Sequence, residues 1–270
     1  MESIGLLLER QLPTILVGLF CILLQVFSPS IPGQKIWTKE SGLNLQYFLA
    51  ASFVFPLFYI FFIYFMFAGA QRYLGYDTDA APLLAEQPIV LRIFLAMIVI
   101  DLVGYWVHRL VHSHALWPMH AIHHSSTEID WLSAIRVHPV DQLLATLAQL
   151  FVAIVVVGFS LEIAATAGLL RSSYFLFNHA NLNWSFGPLG YVMASPVFHR
   201  WHHTREAAGL NKNFGGLFSV WDHLFGTAYH PDREQPHDFG TQEIVGAGLL
   251  AQIGSPFASW ARRLGSARRR

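Results

Sequence analysis

Charge and cysteine are both scarce in this chain. Only 13% of the 270 residues are charged, about half the share of an ordinary soluble domain, and 17 Lys+Arg balance 17 Asp+Glu. Without net charge the chain lacks the electrostatic footprint of a nucleic-acid binder, and no nucleic-acid partner is expected. Its basic clusters are confined to Arg262-Arg263 and Arg268-Arg269-Arg270. The single cysteine, Cys21, excludes an internal disulfide, a CxxC redox pair and a cysteine-held zinc or iron–sulfur cluster. There is no Rossmann GxGxxG, no HPGG haem segment and no HExxH with its general-base Glu.

Apolar sequence fills the space: 54% of the residues are hydrophobic, which excludes a disordered chain. No charge occurs between Ser41 and Gln71, long enough to read as one spanning helix with margin for tilt. Leu12 to Phe27 reads as a first membrane helix rather than a signal peptide, because Glu2 and Glu9 precede it and no clean cleavage site follows. Pro88 to Val107 is a third segment. A fourth runs from Gln142 to Leu161 and on toward Leu170; Gly158 and Glu162 divide it, so it reads equally as a helical hairpin dipping into the membrane. The expected architecture is all-α: an integral membrane bundle of about four transmembrane helices under a helical cytosolic cap. Residues 1–90 are read as N-terminal transmembrane helices, 91–240 as a catalytic domain and 241–270 as a basic C-terminal tail, first a solvated positive-inside anchor and otherwise a contact for anionic lipid or an acidic redox protein. Lys35 and Lys39, against Arg72 with Asp77, Asp79 and Glu86 in the next loop, give a weak positive-inside bias that places the first loop and everything from His108 onward on the cytoplasmic side.

The abundant polar residue is histidine, with 14 in all and eleven between His108 and His203. They fall into boxes: His108-Arg-Leu-Val-His112, His120-Ala-Ile-His123-His124, His138-Pro-Val-Asp141, Asn178-His179 and His199-Arg-Trp-His202-His203. On a helix, residues three or four apart share a face, so such boxes can grip one metal or bridge two. The eight imidazoles of the HxxxH and HxxHH boxes have no packing rationale, and they are too many for one ion. Ligand type alone leaves iron and zinc both open. Asp101 lies at helical spacing below His108, where a carboxylate can hold a ligand's second ring nitrogen. His138 is open between ligand and turn marker on spacing alone; His114, His223, His230 and His237 lie outside the boxes and read as structural.

These boxes resemble those of the fatty acid hydroxylase / sterol desaturase superfamily of integral-membrane di-iron oxygenases. The likeness extends to Tyr105-Trp106, Leu116-Trp117, Arg136-Val137-His138-Pro139, Gly187-Pro188, Asn213-Phe214-Gly215 and Trp221 through Thr227, and covers about residues 90 to 230. Asp130 is a departure, since many relatives carry Asn there. The resemblance implies that His108, His112, His120, His123, His124, His179, His199, His202 and His203 bind metal, with His138 as a tenth ligand, and that Asp141, Asn178 and Asp222 orient ligands. It implies two irons, dioxygen as co-substrate, and electrons from a separate cytochrome, ferredoxin or reductase. The reaction would hydroxylate or desaturate a C–H bond of a lipid: fatty acyl, sterol or related. A bacterial inner membrane is the expected location. The competing readings are a membrane zinc hydrolase, against which the absent HExxH argues, and a metal transporter or sensor, whose ligands belong near mid-membrane rather than at a helix end.

Overall fold

The computed structural model describes residues 2–77, 80, 82, 84–231 and 234–267, and side chains from 11 to 265. Asp79 and the Arg268–Arg270 run lie outside the described residues. Among these residues there is no strand, only an isolated bridge between Thr204 and Phe239. Ten α-helices follow in chain order: α1 Glu2–Phe27, α2 Ser41–Phe53, α3 Phe55–Leu74, α4 Ile89–Val111, α5 Trp117–His120, α6 Pro139–Leu150, α7 Leu161–His179, α8 Pro196–His202, α9 Val220–Leu224 and α10 Leu249–Ala267. The expected all-helical architecture is what the chain adopts.

Three stretches are long and apolar enough to cross a membrane, Phe55–Leu74, Ile89–Val111 and Pro139–Val156, and Gln11–Phe27 is a shorter apolar helix. The run from Ser41 to Gln71 is not one helix, as its lack of charge suggested, but two. Pro56 has no N–H to donate to the preceding turn, so the ladder stops at Val54 and α3 restarts with Pro56 in its first turn. In α3 only Phe55 and Ala70 are buried; Tyr59 and Phe67 pack inward, while Phe58, Phe61, Tyr64, Phe65 and Tyr73 are exposed, as on a lipid-facing helix.

The fourth segment folds as a helical hairpin, whose first arm, Pro139–Val156, is itself long and apolar enough to cross a membrane. α6 continues as a π-helical stretch over Phe151–Val156, and α7 starts at Leu161, capped by Ser160, whose hydroxyl accepts from the Ile163 N–H at 3.3 Å. The reversal passes through Gly158 at φ 90°, a left-handed conformation that costs glycine no Cβ clash. Small residues bring the helices together: Ala96 of α4, Ala153 of the π-helical stretch, and Ala164 and Ala167 of α7 share one core with Ile100, Ile154 and Phe159, the close approach typical of helices packed in lipid. α1 leans on the end of α7 through Cys21, buried against Ala180 and Leu182.

Two expected boundaries shift. The division at 90/91 falls inside α4. The segment expected as a basic tail contains α10, a folded helix that docks back on the rest of the chain: Trp260 Nε1 donates to Ala115 O at 2.7 Å, Arg263 pairs with Glu243 at 2.9 Å and also donates to His114 O, and Ile253 joins the core around Tyr47 and Ile122. α4, α6 and α7 thus run side by side, and their ends nearest His112, Asp141 and His179 carry the polar cap.

Candidate metal centre

Nine of the ten expected histidine ligands converge. His108, His112, His120, His124 and His202 form one group and His123, His179, His199 and His203 a second, the ligand atoms within each lying within 4.8 Å of one another. The HxxxH pair at the end of α4 serves one group, as helical spacing requires. Each HxxHH box divides between both. In the second box the i,i+4 pair, His120 and His124, enters the first group and His123 the second; in the third box His199 and His203 enter the second and His202 the first. The second box is not one regular helix: α5 ends at His120 and tightens into a 3-10 turn over His123–Ser125. The third lies on α8, started by Ser195, whose hydroxyl accepts from Phe198 N–H, and by Pro196 in the first turn.

Hydrogen bonds fix the tautomers. Nδ1 of His108 donates to Phe214 O (2.8 Å), of His179 to Phe175 O (2.8 Å), of His202 to Lys212 O (2.8 Å), of His123 to Arg136 O (3.3 Å), of His112 to Asn211 Oδ1 (3.2 Å) and of His120 to Asp141 Oδ2 (2.8 Å). Each partner is an acceptor, so Nδ1 carries the proton and Nε2 is left with a bare lone pair. These Nε2 atoms face one another: His108 and His120 are 3.1 Å apart, and His123 and His179 are 3.2 Å apart. The Nε2 atoms of His112, His124 and His202 are buried without a partner. Protonation does not resolve the conflict, because burial first, and neighbouring imidazoles second, hold His123, His124, His199, His202 and His203 well below the usual histidine range. Converging neutral lone pairs with no hydrogen between them are what a cation reconciles. The residues fit two metal ions with nitrogen donors and no carboxylate among the ligands.

His138 is not brought to either group. It caps α6: its Nδ1 accepts from Val140 N–H at 3.2 Å and its Nε2 donates to Ile253 O at 3.1 Å, so neither nitrogen is free to bind a metal. In this geometry the imidazole is the N-cap of α6. His114, His223, His230 and His237 also lie outside both groups.

The supporting residues differ in what they touch. Asp141 holds His120 directly. Asp222 acts one step removed: its carboxylate accepts from Phe214 N–H (2.8 Å), Gly215 N–H (2.7 Å) and the Thr227 hydroxyl (2.6 Å), fixing the turn whose Phe214 carbonyl receives His108. Asn178 donates to Gly216 O at 2.8 Å in the same loop. Asp101 meets no histidine. It pairs with Arg171 Nε at 2.8 Å and accepts from Leu217 N–H, Phe218 N–H and Trp221 Nε1, tying that loop to α4 and α7.

Sequence reasoning gave no role to Arg136, which it noted only as part of a motif, and passed over Asn211 and Lys212. Arg136 is buried, pairs with Glu40 at 2.8 Å and donates to Asn44 Oδ1 at 2.7 Å, which anchors the His123 loop to the start of α2. Asn211 and Asn213 take left-handed φ of 56° and 59°, which asparagine tolerates better than most residues; this turns the chain so that Lys212 and Phe214 both present their carbonyls to the histidines. The only signal was the asparagine spacing.

Two cavities meet the site. One, about 270 Å³, lies among α4, α6 and α7 and reaches His108, His120 and His123 between walls that include Val107, Val111 and Phe175. The other, about 500 Å³, opens on the cap side beside His112, His124, His202 and Trp117.

Comparison with known proteins places this geometry. The family model described as fatty acid hydroxylase matches residues 93–227. The chain is 32% identical over 196 residues to ornithine lipid hydroxylase OlsE of Rhizobium tropici, covering 72% of this chain and 58% of that protein. It is 30% identical over 163 residues to alkylglycerol monooxygenase of Danio rerio, covering 58% and 36%. It is 29% identical over 164 residues to sphingolipid C4-hydroxylase sur2 of Schizosaccharomyces pombe, covering 58% and 55%. The chain therefore spans less than two thirds of the length of each of these relatives. No solved structure matches it.

Proposed function

The chain belongs to the fatty acid hydroxylase family, and on that premise we propose that it is a membrane-bound di-iron oxygenase that hydroxylates a C–H bond of a lipid. The observation that carries the reading is the pair of adjacent histidine groups with facing, bare Nε2 atoms, set at the end of a cavity that leads into the membrane bundle. Relatives named as hydroxylases of ornithine lipid and sphingolipid and as an alkylglycerol monooxygenase support a lipid substrate and hydroxylation over desaturation.

Bound iron would supply reductive activation of dioxygen and oxidation of an unactivated carbon. The chain's own residues do the rest. His108, His112, His120, His124 and His202 would hold one ion and His123, His179, His199 and His203 the other. Asp141, Asn211 Oδ1, Arg136 O, Phe175 O, Lys212 O and Phe214 O keep the Nδ1 protons of His120, His112, His123, His179, His202 and His108 in place, so that these six Nε2 atoms stay neutral and aimed. Val107, Val111 and Phe175 line the route along which the lipid lies and keep bulk water from it. Electrons come from a separate cytochrome, ferredoxin or reductase, and the cap-side cavity, which touches His112, His124 and His202, is the face open to it. The active site lies on the cytoplasmic side of a bacterial inner membrane.

The test is metal content and Mössbauer spectroscopy on protein grown with 57Fe and kept in membranes, beside a His123→Ala/His202→Ala variant. About two irons per chain, lost in the variant and accompanied by an oxidised lipid in the native cells, supports the reading. Tight zinc without iron under iron-replete anaerobic growth sinks it and brings the hydrolase or sensor reading forward.

A further inference from the structure

The membrane-side cavity has a polar floor. Gln149 of α6 and Arg171 and Ser172 of α7 line it together with His108, His120 and His123. Gln149 lies roughly 12 Å along α6 from Asp141, and Arg171 and Ser172 lie roughly 10–12 Å along α7 from His179, at 1.5 Å per residue. Their backbones thus sit about two helical turns below Asp141 and His179, their end groups reach toward Gly104, one turn along α4 from His108, and Gln149 lies within the candidate span Pro139–Val156.

Their hydrogen-bonding capacity is not spent inside the protein. Among the described residues the Gln149 amide and the Ser172 hydroxyl have no hydrogen-bond partner, and of the Arg171 nitrogens only Nε is paired, with Asp101. Glycines make the room: a Cβ at Gly104 would come within 2.5 Å of Arg171 Nη2 and 2.9 Å of Gln149 Nε2, and one at Gly216 within 2.6 Å of Arg171 Nη2. None of these groups is sealed in the protein, since Ser172 is exposed and Gln149 and Arg171 are half-buried; open toward the cavity at membrane depth, they are costly unless something there pairs with them. An all-hydrocarbon chain would leave them unpaired; a lipid with a hydroxyl, amide or carboxyl group at that level would not.

Resting on the oxygenase reading above, we propose that Gln149 and Ser172, beside Arg171, form a subsite for a hydrogen-bonding group of the substrate on the membrane side of the histidines. The subsite acts as a ruler. It selects lipids that carry a polar linkage or terminal group on the membrane side of the carbon to be oxidised, and so sets which carbon lies beside the histidines.

The experiment measures binding, not turnover. Protein in lipid nanodiscs is equilibrated with 14C-labelled N-octylacetamide or with 14C-labelled undecane of matched length, and retention is taken over protein-free nanodiscs at equal membrane mole fraction. Native protein retains the amide at least about tenfold more tightly, as a site built to hydrogen-bond its ligand should. Gln149→Leu with Ser172→Ala loses that preference while undecane retention is unchanged; Ser172→Ala alone, a deletion of one hydroxyl, weakens it partially and guards against misfolding of the double variant. Equal retention of both probes by native protein, or a preference untouched in either variant, overturns the subsite. Selective amide retention in a protein that binds iron but oxidises no lipid would leave the subsite standing and remove the oxygenase; an oxidised lipid without selective retention would do the reverse.

Discussion

Asp141 Oδ2 accepts a 2.8 Å hydrogen bond from His120 Nδ1, with both side chains buried, and it is the only carboxylate among the described residues that touches a histidine of the two groups. A carboxylate there fixes the ring and raises the basicity of its Nε2. Asp141→Asn keeps the shape and removes the charge. Iron affinity should fall by roughly 10- to 100-fold, measured as the chelator concentration that strips half the metal, with unchanged helicity by circular dichroism.

Arg136 links three parts of the site: its guanidinium pairs with Glu40 and Asn44 while its carbonyl receives His123. Arg136→Met leaves a half-buried Glu40, which still accepts from Thr127, without its cation and the buried Asn44 Oδ1 without its donor, at a cost on the order of 1–3 kcal/mol. Thermal unfolding in detergent should shift down clearly. Arg136→Met with Glu40→Gln, which removes the stranded charge, should recover a measurable part of the loss; no recovery would deny the pairing its role.

Acid should destabilise the metal-free protein. Burial holds His123, His124, His199, His202 and His203 below their usual pKa, so between the folded value and about 6.5 the unfolded chain binds more protons than the folded one. Stability therefore rises with pH in that window and falls as pH drops below about 6.5. Chelated protein should show a melting temperature that declines steadily from pH 7 to pH 5, and a rise over that range would contradict the assigned neutral state.

Cys21, buried against Ala180 and Leu182 and without another cysteine in the chain, makes sidedness easy to measure. In a Cys21→Ala background, His237→Cys on the exposed cap should react with an impermeant maleimide only from the cytoplasmic side, and Glu86→Cys, at the other end of α4, only from the outside. The opposite pattern would invert the proposed topology.

The metal centre was legible because imidazole pairs at i,i+3 and i,i+4 have few other uses; nine of the ten named histidines meet in space. His138 was not separable by type. Whether an imidazole followed by proline binds metal or caps a helix depends on where Val140 N–H and Ile253 O fall, and the second belongs to a helix more than a hundred residues later. Asp101 fails for the same reason. Helical spacing places it below His108, but its oxygens go to Arg171 and the Leu217–Trp221 loop, partners that no local pattern names. The break at Pro56 was present in the sequence, yet hydropathy alone ran through it. The carbonyls of Lys212 and Phe214 were beyond reach, since a backbone acceptor carries no sequence signal and only the left-handed asparagines beside them hint at a turn.

The division of each HxxHH box between the two histidine groups has a thermodynamic consequence. Neither ion can be held without ordering both boxes, so the first to bind pays for arranging ligands that the second then finds in place. Loading should therefore be cooperative. A titration of the stripped protein would pass from empty to doubly filled with few singly filled molecules between, and a chain impaired at one group would be impaired at both.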